Sequence, residues 1–325
     1  MKKIVMLWAL TLGMVFANES AQENILNKVL IKNTQNAIET TQQLQSQLNG
    51  ASYDEAKIKG LFGELVFNWK KVETLYIAGD LDNNYLDTPR YIDIFHNLKE
   101  NLNEQMQRVQ ESNDDVRVAL FKNSFKTINA LEYVLYSKKS MSKRDIEISK
   151  VIANNIQTHL EDILEVYQTQ GEKFLSNEVF SNGIVMNTLV QSVYKLKEWR
   201  IADVAGLSLK YKNNPNISRS EYFMSKNSTH AIKAILLTHK EVLNSSEFFD
   251  FGDMYEKQLN NDDVKKTREL IEIALTKLAQ IKNDDLSSKE AQDLYSAVNN
   301  IYNHYFFSLI QDLKITSKIL DADGD

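Results

Sequence analysis

Apolar residues recur along almost the whole chain at three- and four-residue spacing, the mark of amphipathic helices. Leu26, Leu30, Ala37, Leu44 and Leu48 predict a helix over about 23–48, ended by Asn49-Gly50. Ile58, Leu61, Phe62, Leu65, Trp69, Val72 and Tyr76 predict a second over about 53–78. Thr88-Pro89 opens a third, with proline suited to the first turn, running through His96 to about Val109. The stretch from Phe121 to Ser137 predicts a fourth with two stripes. Phe121, Ser124, Ile128, Leu131 and Leu135 face a core, and Phe125, Asn129, Glu132 and Tyr136 lie roughly 90° around.

The second half continues in the same period. Ser142, three residues before Asp145, caps a long helix reaching about Leu175. Val185, Leu189, Val193, Leu196 and Trp199 predict the next, from near Gly183 to near Gly206. Ser218 starts a helix to Leu243 on which Glu221, Ser225, Ser228, Ile232 and Ile235 share one face. An aromatic-rich connection precedes two last helices, about 262–282 and 287–320. Two prolines and ten glycines are too few turn residues for a sandwich or barrel. The expected fold is all-α, two tandem helical bundles compatible with a duplicated four-helix unit. The expected boundaries are 1–17, 18–140 and 141–325, the last with a short acidic tail.

Residues 1–17 read as a cleaved signal peptide: Lys2 and Lys3, an apolar run from Ile4, then Val15-Phe16-Ala17. The run is too short to span a bilayer, and no later stretch supplies a transmembrane segment in the mature chain. The expected compartment is periplasmic or secreted. The absence of cysteine excludes a lipid-modified cysteine, disulfides, thiolate metal sites and cysteine nucleophiles. A formal net charge of −6, with basic residues interspersed among acids, argues against nucleic acid as a partner.

Two polar sets stand out on otherwise core-like faces. Glu132 with Asn129 either marks the wet edge of a core stripe or is partly desolvated and binds a ligand; the pattern leaves both open. Glu221, Ser225 and Ser228 extend the stripe of Ile232 and Ile235, so they fray into solvent, pair internally or line a site. The five histidines are scattered, without an HExxH motif. His96 belongs to the same expected bundle as Glu132 and could approach it.

At these residues the chain resembles the imelysin family, exported bacterial proteins named for an insulin-cleaving membrane protease. Ala130-Leu131-Glu132-Tyr133-Val134-Leu135 is similar to the end of the family's GxHxxE segment and the residues after it. Glu221, Ser225 and Ser228 match a second segment by spacing, and Asp321-Ala-Asp323-Gly324-Asp325 a closing DGD. Thr127 stands at the family's glycine and Asn129 at its histidine, which points away from the proteolysis in the family's name.

The resemblance implies two packed helical bundles with these polar residues near their junction. It also implies an association with iron acquisition. The expectation is therefore a non-catalytic exported binding protein holding a small ligand or metal ion with Asn129, Glu132, Glu221, Ser225 and Ser228. A metal, iron or another divalent ion, would use Glu132, His96 and Glu221. The alternatives are a metallopeptidase rebuilt around His96, and a scaffold docking an envelope iron-uptake protein.

Overall fold

The structure, a computed structural model, describes residues 19–50, 52–97, 100–259 and 262–316. The expected signal peptide and the Asp321–Asp325 segment lie outside the described residues. The described residues form helices and no strand.

Helix α1 covers residues 21–49, with a π-helical stretch at Ile25–Ile31, and α2 covers Glu55–Thr74. Helices α3 (Leu102–Glu111) and α4 (Ile128–Tyr136) are shorter. Helix α5 (Lys143–Leu175) starts at the expected capping box: Ser142 Oγ accepts from Asp145 N, and the Asp145 carboxylate accepts from Ser142 N. Helix α6 spans residues 178–205, becoming π-helical at Leu196–Ala202, and stops at Gly206. That glycine has φ +70, and a Cβ there would lie 2.7 Å from Pro215 N, so only glycine fits. Helices α7 (Ser228–Leu243), α8 (Phe251–Leu259), α9 (Asp263–Leu278) and α10 (residues 289–312) complete the fold.

Helix α1 lies between α5 and α2, and α2 carries α7 on another side. Helix α9 packs on α7 and α10, and α10 on the π-helical end of α6. One continuous apolar core runs through these layers, from Leu44 and Phe62 through Leu131 and Ile156 to Val298 and Tyr305.

The structure differs from the periodicity at three places, and each break has a local cause. The expected third helix stops at Ile92 and resumes at Leu102. Between them, Asp93 Oδ1 accepts from Phe95 N at 2.9 Å and Asn129 Oδ1 accepts from Ile94 N at 2.8 Å. Side chains thus take the amides a continuing helix would use, and His96 sits at φ 64 in a turn instead of on a helix.

In the expected fourth helix, Thr127 is extended and accepts from Ala130 N, so the helix starts there. Phe121, expected in the core, is 71% exposed, whereas Phe125 is buried. In the third case the helix to Leu243 begins only at Ser228. Tyr222 and Lys226 each have φ 58, so 221–226 is a turn and the single-face arrangement of Glu221, Ser225 and Ser228 does not form. Asp284 caps α7 from a distant loop by accepting from Ser228 N at 3.0 Å.

Candidate functional site

Between α2, the π-helical end of α6 and the 93–96 and 221–226 turns lies a buried polar layer centred on Lys70. This lysine follows Trp69 on the apolar side of α2 and is completely buried. Its Nζ lies 2.6 Å from Glu221 Oε1, 2.7 Å from Asp93 Oδ2 and 2.7 Å from Glu73 Oε2. Arg200, on the π-helical stretch of α6, donates Nε to Glu221 Oε2 at 2.7 Å and Nη2 to Glu73 Oε2 at 3.0 Å. Trp69 Nε1 and Tyr222 OH also donate to Asp93 Oδ2, at 3.0 and 2.9 Å. Three carboxylates therefore face two cations, and Asp93 takes a hydrogen bond from α2, the 93–96 turn and the 221–226 turn.

Burial alone would lower the Lys70 ammonium, but Asp93, Glu221 and Glu73 hold it well above the usual lysine range. Burial likewise opposes ionisation of Asp93, and Lys70 beside it wins, keeping that carboxyl well below its usual value. Glu73 is lowered against its burial by Lys70 and Arg200. Burial pushes Glu221 up, with Arg200 and Lys70 working against it.

Glu132 sits beside this cluster under different conditions. Its Oε1 accepts from Ser225 N at 2.8 Å and from Ser225 Oγ at 2.7 Å, and no cation pairs with it among the described residues. Desolvation pushes its carboxyl up to about 7, the Ser225 hydrogen bonds pull it back, and Glu221 and Asp93 add to the rise. Ser225→Ala, which removes one of those bonds, is expected to move the Glu132 titration higher still. The chemical shift of the Glu132 side-chain carboxyl followed against pH checks this; an unmoved midpoint would refute it.

Glu132 and Ser225 meet directly, and Glu221 is near enough to raise Glu132. Asn129 is committed to the Ile94 amide. Ser228 uses its amide on Asp284, and its buried Oγ has no partner among the described residues. His96 does not join Glu132: its Nε2 is 3.1 Å from Asp203 Oδ2 and its ring stacks on Trp199, centroids 4.7 Å apart at 3°.

In front of this layer lies an open cleft of about 440 Å³. Glu73, Asp93 and Arg200 form its floor, and Thr188, Gln191, Ser192, Lys195 and Trp199 on α6 form one wall. The helix period did not single out Lys70, Arg200 or this wall. Lys70 and Arg200 carried a readable signal, since each interrupts an apolar stripe, Val66-x-x-x-Lys70 and Leu196-x-x-x-Arg200.

The family's sequence model, described as Peptidase_M75: Imelysin, matches residues 25–303. The chain belongs to the imelysin family. Its fold is similar to the crystal structure of an imelysin-like protein from Psychrobacter arcticum 273-4, with a TM-score of 0.77 and 18% identity over 93% of this chain and 99% of that one. No curated protein sequence matches.

The imelysin-like segments 127–132 and 221–228 lie against each other through Glu132 and Ser225. No helix among the described residues is long and apolar enough to cross a membrane.

Proposed function

We propose that this imelysin is an exported, non-catalytic binding protein whose cleft takes a small polar ligand in iron acquisition, the iron entering as a complex. The observation that carries the reading is the position of the Lys70 ammonium. With three carboxylate oxygens at 2.6–2.7 Å it stands where a coordinated cation would stand. A hydrolytic metal needs three protein ligands and an open position. Here Glu221, Asp93 and Glu73 are engaged by Lys70 and Arg200, and His96 faces Asp203. The three carboxylates converge on the lysine, and among the described residues no group of three His, Asp or Glu side chains is arranged so that it could hold a metal ion. The residues present do not fit a bare ion, because their carboxylates are already neutralised by Lys70 and Arg200.

The cleft lining sets the carboxylates Glu73, Asp80, Asp87 and Asp93 beside donors from Arg90, Ser192, Lys195 and Arg200. Arg200 engages Nε and Nη2 with protein, leaving Nη1 without a hydrogen bond among the described residues beside a cleft it lines. These donors suit the carboxylates of an iron chelate.

The test is thermal unfolding of metal-stripped protein with ferric citrate, ferrous ion, zinc, calcium or haem. Ferric citrate is expected to raise the midpoint, on the order of 3 kcal/mol of added stability at a hundredfold excess over the dissociation constant. Gln191→Trp, which fills the cleft, should abolish the shift. A shift with a bare ion and none with the complex would refute the reading.

A further inference from the structure

Behind the α6 wall lies a buried relay that neither the charge cluster nor the imelysin segments include. His239 on α7 is 1% exposed and Tyr305 on α10 is fully buried. His239 Nδ1 is 3.2 Å from Tyr305 OH, and Nε2 is 3.3 Å from Ser192 Oγ. Ser192 lines the cleft. Desolvation holds the imidazole down to about 3, so it is neutral near pH 7 and one ring nitrogen donates while the other accepts.

The tautomer follows from counting donors. Among the described residues the only hydrogen-bond partner of Tyr305 OH is His239. If Nδ1 carried the proton and donated to the phenol, the phenolic hydrogen would be buried without an acceptor, which costs free energy. If the phenol donates to Nδ1, Nε2 carries the proton and donates to Ser192 Oγ, and every group is paired. Ser192 Oγ is then an acceptor towards His239, and its own hydrogen must point elsewhere.

Helical hydroxyls commonly return that hydrogen to the carbonyl four residues back, as Ser149, Ser181 and Thr238 do here. Ser192 makes no such bond. Its hydrogen therefore has no acceptor among the described residues and faces the cleft. Thr188, one turn earlier, and Gln191 line the same wall with no side-chain hydrogen bond among the described residues, and Arg200 Nη1 adds a charged donor.

We propose that the Tyr305–His239 relay fixes Ser192 as a hydrogen-bond donor into the cleft, and that the cleft recognises an oxyanion, a carboxylate or phosphate, through Ser192 and Arg200. Ser192 is a ligand-positioning residue in this arrangement. Receiving a hydrogen bond from Nε2–H, it is not activated as a nucleophile. The inference rests on the cleft being the binding site and names the chemistry it takes.

Two measurements test it. Nitrogen-15 shifts of His239 in the unliganded protein at neutral pH should show a pyridine-like Nδ1 and a pyrrole-like Nε2; the reverse pattern overturns the proposal. Calorimetric titration with metal-free citrate and with inorganic phosphate should show binding to wild type. Ser192→Ala should weaken it about tenfold or more and lower the thermal midpoint of the unliganded protein, because His239 Nε2–H loses its acceptor. Ser192→Thr, which keeps the hydroxyl, should retain most of the binding and the wild-type midpoint.

Failure of both anions to bind wild type, or equal binding to Ser192→Ala, overturns the proposal. Citrate binding with no further effect of ferric iron would sink the iron reading and leave this one standing. A ferric complex that binds Ser192→Ala as tightly as wild type would do the opposite.

Discussion

Lys70→Met is expected to destabilise the protein by about 3–5 kcal/mol at neutral pH, the loss associated with removing one partner from a buried ion cluster. The side chain is fully buried, so no water can replace the ammonium, and Arg200 alone would face Glu73, Asp93 and Glu221. The deficit should depend on pH in a definite direction. Asp93 is held below its usual value in the folded state, so its contribution to stability is present above pH ~4, where unfolded aspartate ionises, and is lost as pH falls towards the depressed folded value. Methionine removes the cause of that depression. Wild type and variant should therefore converge on acidification, read as urea midpoints at several pH values. A deficit independent of pH would mean that packing around Trp69, not charge, is what Lys70 maintains.

Glu132→Gln should have the opposite sign. A carboxyl moved from 4.5 to about 7 by burial favours the protonated folded state. Between those values the folded chain binds more protons than the unfolded one, so stability falls as pH rises through the window and is lowest above about 7. The full change is on the order of 3 kcal/mol. The amide oxygen can still accept from Ser225 N and Oγ, so the variant should unfold at a higher urea midpoint than wild type at pH 8 and lack this slope. A wild-type midpoint flat across the window would show that Glu132 is ionised and stabilised in the fold.

The comparison of these two carboxylates also shows what periodicity can and cannot reveal. The all-α class, the Ser142 capping box and the Gly206 stop were legible because each depends on residues adjacent in sequence. Glu132 and Ser225 could be suspected as polar interruptions of apolar stripes. The supposed helix carrying Glu221, Ser225 and Ser228 was not real, because Tyr222 and Lys226 take left-handed conformations and Glu132, far along the chain, receives the Ser225 amide. The end of the third helix at Ile92 likewise depends on Asn129 reaching across to Ile94. Lys70 and Arg200 interrupt apolar stripes, but a lysine or arginine on a helix reads as solvent-facing until its partners from other segments are seen, Asp93 and Glu221 for Lys70, Glu73 and Glu221 for Arg200.

The π-helical stretch at Leu196–Ala202 has a consequence for insertions and deletions. Ser192 and Arg200 are eight residues apart, and on a uniform α-helix of about 100° per residue they would point about 80° away from each other. The wider turns of the π stretch wind less per residue and bring both onto the same cleft. Deleting one residue between them would restore regular winding and shorten the helix while leaving every named side chain present. Ser192 and Arg200, then seven residues apart, would still lie within about 20° of one face. Eight residues of regular helix would instead turn them about 80° apart, so the phase of this one helix, and not only its composition, defines the binding surface.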